Sequence, residues 1–300
     1  MHKDNKQRVI ACVAVRMKST RLFQKAFADI NGQPMLLRLI SRLKKSSYLD
    51  GIVICTSSNP DDDVLLKFAD QVGVQAIAGS EDDVLQRFIA AADRYNADSV
   101  IRVTGDNPLT CPVTIDRMIL HHLATQADYT RTNGLPLGVT SEVMTRSMLK
   151  RLSEMVPDLL WRTYMLFVAF EPTVFKCEVL EPEAELKRAH YSVSVDTPED
   201  LELVKKIFQE CENKEMGPSL SDIVNFIDNN PDVRTMSDET PIKLPRGQTI
   251  SFRQCLNWLD HQAELSKRVK GECQSSQPYW DEHLGPLGLR RFLQAESKKN

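Results

Sequence analysis

Over its first 130 residues the chain alternates short β-branched runs with longer stretches of helical periodicity, which restricts it to a parallel sheet built from strand–helix–strand units. The run RVIACVAV (Arg8–Val15) reads as a buried first strand, and Pro34–Ser46 sets Met35, Leu36, Leu39, Ile40 and Leu43 on one helical face. The pattern then predicts a strand at Gly51–Thr56, a helix at Asp61–Val72 and a strand at Val74–Ala78. Next come a helix at Glu81–Tyr95 with Ser80 as N-cap and a strand at Ser99–Thr104. Gly105-Asp106-Asn107-Pro108 must end that strand and turn the chain at its carboxyl end.

Beyond the turn, the sequence predicts a helix over Pro112–Thr125, extended chain over Asp128–Thr132, a loop at Gly134–Gly138, and strands over Val174–Leu180 and Tyr191–Val195. Two helices follow, one capped by Thr197 with Pro198 in its first position and running through Glu210, the other over Leu220–Asp228. The expected fold class is α/β, a Rossmann-like three-layer domain with a mostly parallel sheet over residues 1–235. Three hundred residues hold one such domain of about 200–250 residues plus an appendage. Residues 236–300 are that C-terminal extension: they open with the linker-like Pro241–Gly247, carry Trp258 and Trp280, and read as a docking or oligomerisation element, so a homo-oligomer is an expected state.

Composition acts by exclusion. A net charge of −3 gives no electrostatic basis for binding nucleic acid or a membrane surface. No stretch reaches the roughly 18 apolar residues of a membrane span, and the first residues lack a signal-peptide core, so a cytoplasmic location is expected. Seven widely spaced cysteines with no C-x-x-C pair read as reduced structural thiols. His121-His122, with no third ligand at metal spacing, reads as packing, while His190 precedes the strand that leads to Asp196.

Any phosphate site must therefore be local. The loop after the first strand carries Arg16, Lys18, Arg21 and Lys25 within ten residues, at the sheet edge where open α/β folds bind ligands. Four cations suit a polyphosphate, although a solvated basic loop has the same composition, and the loop is neither a Walker A sequence nor a dinucleotide fingerprint. Asp106 and Asp196 each end a predicted strand. Singly each reads as a turn-former or cap, but together they suit Mg²⁺ held jointly with substrate phosphates. The segment Gly79–Arg87 follows the third strand and reaches the same edge.

The chain resembles the SpsF-type cytidylyltransferases of spore-coat polysaccharide biosynthesis, relatives of the CMP-sialate and CMP-Kdo synthetases. Ala14, Arg16, Ser19, Arg21, Leu22 and Lys25 match the family's first loop, A-R-x-G-S-x-R-L-P-G-K. Further matches are NGQPML (31–36), TSSNPDD (56–62), GSEDDVLQRF (79–88), RVTGDNPL (102–109) and VDTPEDL (195–201), so the similarity covers about residues 8–210. It implies a cytidylyltransferase-like nucleotide-binding domain that transfers CMP from CTP to a sugar acid or related hydroxyl acceptor. Arg16 and Lys25 would be catalytic; Ala14, Arg16, Ser19, Arg21, Lys25, Ser80, Asp83, Arg87 and Asp106 would bind nucleotide. Glu142 and Arg162 would face the acceptor, and Asp106 and Asp196 would hold Mg²⁺.

The sequence also departs from the family. Lys18, Phe23 and Gln24 replace a glycine, a proline and a glycine in the loop, and Arg162-Thr163-Tyr164-Met165-Leu166 stands where many members have R-E-H-V-T. Three other readings stay open: a different nucleotide or acceptor, a regulatory or scaffold protein without turnover, and a GT-A glycosyltransferase. The last needs a D-x-D metal motif, which Asp61-Asp62-Asp63 and 228–232 fit poorly.

Overall fold

The computed structural model describes residues 6–18, 24–233, 235–269, 279–281 and 285–298. In chain order the elements are β1 (Val9–Ala14), β2 (Asp29–Ile30), β3 (Gln33–Pro34), α1 (Met35–Leu43), β4 (Gly51–Ser57), α2 (Asp63–Gln71), β5 (Gln75–Gly79), α3 (Val84–Arg94), β6 (Ser99–Thr104) and α4 (Pro112–Thr125). There follow β7 (Tyr129–Thr132), β8 (Glu142–Thr145), α5 (Arg146–Met155), α6 (Leu159–Thr163), α7 (Met165–Ala169), β9 (Cys177–Leu180), α8 (Pro198–Glu210) and α9 (Leu220–Asp228). The remainder holds β10 (Pro241–Lys243), β11 (Thr249–Ser251), α10 (Phe252–Val269), β12 (Trp280–Asp281), β13 (Gly285–Pro286) and α11 (Leu287–Glu296).

Seven strands form one sheet in the order β5-β4-β1-β6-β8-β7-β9, and only β8 runs against the rest. The apolar run of β1 is explained by its central place. Val9, Ala11 and Val13 pack with Leu36, Leu39 and Ile115 on one face, while Ile10 and Cys12 pack with Phe88, Leu149 and Trp258 on the other. Helices on both faces give the expected three-layer α/β architecture. A smaller apolar cluster joins Val193 and Val195 to Ile207, Ile223 and Val224 of α8 and α9.

Three local expectations need correction. The N-cap of α3 is Asp83, whose carboxylate accepts from Gln86 N at 2.9 Å; Ser80 Oγ instead accepts from Asp82 N at 3.3 Å in the preceding turn. Tyr191–Val195 is no strand: its ladder stops at the bridge Leu137–Ser192, because Val195 N bonds Asp106 O at the sheet's edge. The strand expected from Val174 starts at Cys177, since Val174 N and Phe175 N both turn back to Glu171 O. Gly138–Val143, expected to pass from loop to strand, does so at Glu142, where β8 begins, but α5 after it was not legible. The six described cysteines are free and buried, and Cys273 lies outside the described residues.

The residues after 236 pack on the chain's own sheet. Trp258 of α10 lies between Phe167 and Phe170, with ring centroids 5.2 and 6.1 Å away, and Gln262 Nε2 donates to Phe170 O at 2.7 Å. Trp280 meets Trp161 edge-on at 6.1 Å. Both tryptophans thus anchor an intramolecular contact. His190 belongs to the same junction, not to the edge near Asp196: its Nε2 lies 3.0 Å from Asp238 Oδ1 and its ring meets Phe252. No helix among the described residues is long and apolar enough to cross a membrane.

Candidate active site

The carboxyl ends of β1, β4, β5 and β6 converge at one edge, as parallel strands in this order require. Gly105 draws β1 and β6 together there: its N donates to Ala14 O at 2.9 Å, and a Cβ on it would lie 2.8 Å from Val15 Cβ. The basic loop leaving β1 is anchored by Asp62, which the sequence placed in the family-matching TSSNPDD segment without assigning it a role. One Asp62 oxygen accepts from Met17 N at 2.7 Å and the other from Ser57 N and Ser57 Oγ. Burial opposes the Asp62 charge, but these hydrogen bonds outweigh it and hold the carboxyl below its ordinary range.

Lys25 re-enters from the far end of that loop, after Gln24 in a left-handed conformation, and reaches both predicted aspartates. Its Nζ lies 3.0 Å from Asp106 Oδ2 and 2.8 Å from Asp196 Oδ1. Asp106 is placed by the turn that ends β6. Asp196 is placed by the capping box of α8, in which Asp200 Oδ2 accepts from Asp196 N at 2.9 Å and Thr197 N at 2.8 Å. No set of three His, Cys, Asp or Glu side chains suited to a metal occurs among the described residues. Two carboxylates converging on one cation do fit a hard divalent ion whose remaining oxygen ligands come from phosphates and water.

Toward β5, Arg16 Nη1 donates to Glu81 O at 3.1 Å and Glu81 Oε1 at 3.2 Å, and Lys18 Nζ stands 3.6 Å from the same carboxylate. Ala14, Arg16, Lys25, Ser80, Asp106 and Asp196 thus gather along one edge, and Ser19 and Arg21 lie outside the described residues. Asp83, Arg87 and Arg162 face inward. Arg162 spends its guanidinium on Asp83 Oδ2 at 2.5 Å, Ser153 O at 2.6 Å and Val156 O at 2.7 Å. Arg87, buried beneath Gly79, donates to Cys55 O at 3.0 Å, and burial lowers its affinity for the proton.

Past Asp106 and Asn107 the edge opens into a cavity of about 360 Å³. Its floor is a row of residues in cross-strand register, Arg102 on β6, Glu142 on β8 and Arg131 on β7. Arg102 Nη1 binds Glu142 Oε2 at 2.6 Å, and Tyr129 OH donates to Glu142 Oε1 at 3.2 Å. Burial works against the Arg102 charge, yet Glu142 more than offsets it and raises the proton affinity of the guanidinium. Arg131 lies over the Phe170 ring at 5.2 Å. Its Nη1, like Asn107 Oδ1, is buried without a partner, and both residues line the cavity.

The cytidylyltransferase family profile matches residues 10–219. The chain belongs to the cytidylyltransferase family. It is 31% identical over 231 residues to an uncharacterized protein of Methanocaldococcus jannaschii, covering 77% of this chain and 94% of that one. It is 29% identical over 233 residues to the spore coat polysaccharide biosynthesis protein SpsF of Bacillus subtilis, covering 76% and 97%. A solved cytidylyltransferase from Leptospira borgpetersenii superposes with a TM-score of 0.70 at 27% identity over 75% of this chain and 95% of that one. The fold is also that of a CMP:2-keto-3-deoxy-manno-octonic acid synthetase complexed with CTP, with a TM-score of 0.55 at 14% identity over 68% and 99%. The family stretch contains every edge residue from Arg16 to Asp196 and stops short of β10.

Proposed function

We propose that this family member transfers CMP from CTP to a hydroxyl of a sugar acid or a related acceptor, with Mg²⁺, in the cytoplasmic synthesis of a surface polysaccharide or glycan. The observation that carries the reading is Lys25 joined to Asp106 and Asp196 where the basic loop meets a polar cavity. SpsF is named for polysaccharide biosynthesis and the octonic acid synthetase was solved with CTP, which supports both halves of the reaction. We assign residues 1–235 as the catalytic unit and 236–300 as an extension fastened to it.

In this reading the triphosphate lies along the loop, with Arg16, Lys25, Ser19 and Arg21 facing its oxygens and Ala14 and Ser80 beside the nucleoside. Asp83 and Arg87 serve the nucleotide indirectly, by fixing the wall that carries Ser80; Arg162, expected to face the acceptor, has its guanidinium bonded to Asp83 and to the carbonyls of Ser153 and Val156, so we assign it to that wall instead. The acceptor oxygen forms a bond to the α-phosphorus as the bond from that phosphorus to the leaving pyrophosphate breaks, and the hydroxyl proton is released. Lys25 and Arg16 offset charge on the departing oxygens, a contribution that grows as the bond breaks. Asp106 and Asp196 would hold Mg²⁺, which supplies further neutralisation of phosphate charge. Glu142, pinned by Arg102 and Tyr129, orients the acceptor side.

A GT-A glycosyltransferase finds no support in the aspartate run, since Asp62 is buried and committed to Met17 and Ser57. Pyrophosphate release from CTP, ATP, GTP and UTP against a panel of sugar acids tests the proposal. We expect release that needs CTP, an acid acceptor and Mg²⁺ together. CTP binding with no release for any acceptor would favour a regulatory protein, and a preference for another nucleotide would overturn the assignment of CTP.

A further inference from the structure

The lining of the cavity also includes Ile242 and Lys243 of β10, which lie beyond the stretch the family profile matches. Ile242 packs against the main core, and the hairpin of β10 and β11 is fixed on several sides. Leu244 and Ile250 are buried, Arg246 pairs with Asp158 at 2.5 Å, and Phe252 N donates to Thr240 O at 2.8 Å. This wall is built into the fold, and Lys243 comes with it.

The charges facing the cavity do not balance. The lining holds Arg102, Arg131 and Lys243 against Glu142 and Asp106; Glu142 is taken by Arg102 and Tyr129, and Asp106 by Lys25. Arg131, stacked on Phe170, leaves its Nη1 buried with no hydrogen-bond partner, and Lys243 makes no hydrogen bond or ion pair with any described residue. A buried guanidinium donor without an acceptor is costly, and an anionic group on a bound molecule would relieve the cost. Thr132, Thr140 and Ser141 add hydroxyls on the same lining, suited to a polyol.

We propose that β10 completes the acceptor site and that Lys243, acting with Arg131, selects acceptors carrying a carboxylate. The inference rests on the transfer reaction proposed above and extends it. The C-terminal extension is then a specificity element, and exchanging it changes which acid is accepted.

The test uses the full chain with 3-deoxy-manno-octulosonate and N-acetylneuraminate as probes, each beside its methyl ester. Lys243→Ala removes an exposed side chain, so folding is spared. The expected result is a rise of about 10- to 100-fold in KM for the acid, KM for CTP moving less than twofold, and a smaller preference for acid over ester. Arg131→Gln should act in the same direction, more strongly. An unchanged acid-to-ester ratio in Lys243→Ala would overturn the proposal. If the wild type turns over no acid, the transfer reading fails separately, and thermal shift judges the site. Stabilisation of the wild type by either acid that is lost in Lys243→Ala upholds it; no stabilisation, or equal stabilisation of both proteins, overturns it.

Discussion

Lys25 Nζ sits 2.8 Å from Asp196 Oδ1 and 3.0 Å from Asp106 Oδ2, closing with its ammonium the gap between a carboxylate after the end of β6 and one before the start of α8. In the proposed reading the same atom faces a phosphate oxygen and stands where Mg²⁺ would be held. Loss of one preorganised donor from a phosphoryl centre costs roughly 3–4 kcal/mol of barrier, so Lys25→Ala should lower turnover by on the order of 100-fold or more. Steady-state pyrophosphate release measures it, and near-normal turnover would remove Lys25 from the chemistry.

That competition for the carboxylates gives a second prediction with a direct binding readout. Without nucleotide, Lys25→Met should bind Mn²⁺ or Mg²⁺ more tightly than the wild type in calorimetry, because the competing ammonium is gone. Asp106→Asn and Asp196→Asn should each move the Mg²⁺ requirement for turnover to higher concentration, by about tenfold or more. Unaltered Mg²⁺ titrations in both asparagine variants would clear these residues of a metal role.

His122 carries a pH dependence that is independent of catalysis. Burial first, then the neighbouring His121, pushes its pKa down to about 4. Its ring nitrogens face Ser99 Oγ and Thr130 Oγ1 at 3.3 and 2.9 Å. Because the unfolded chain takes up the proton first, stability is complete above the ordinary histidine value near 6.5 and falls as the pH drops toward 4. At pH 5 the loss from this residue is about 2 kcal/mol. Urea unfolding at pH 7 and pH 5 should show a smaller difference in His122→Gln than in the wild type, and equal differences would refute the assignment.

Trp258 tests whether the extension belongs to the main core. Truncating an aromatic buried as deeply as this one costs about 3–5 kcal/mol, so Trp258→Ala should shift the single urea transition of the whole chain. A separate low-stability transition, with the remainder unmoved, would mean that the extension folds as a unit of its own.

Strands β1 and β4 were legible because strands covered on both faces are written as apolar runs, and β6 because its β-branched run is broken only by Arg102; β5, at the sheet edge with Ile77 buried, was legible from its place between two helical stretches. Asp106 was legible because a strand that ends in a glycine turn announces where its last side chain will stand, and Asp196 because it directly precedes the Thr197 cap and Pro198 start of α8, although the strand expected before it is absent. Arg131 was not. It lies in a four-residue strand, YTRT, and gains its meaning only from a register that sets it beside Glu142. Arg162 and Arg87 show the reverse difficulty, since sequence gives the charge of a guanidinium but not the carbonyls it will meet. Lys243 stood in a stretch with every mark of a linker, and only the hairpin of β10 with β11 brings it to the cavity.

The cavity draws its floor from mid-chain strands and one wall from β10, which a ribosome delivers well after them. During synthesis the phosphate edge can therefore assemble while the acceptor pocket is still open on one side. In the proposed reading, a nascent or prematurely ended chain would present the phosphate edge without a finished acceptor chamber, so competence for transfer arrives last.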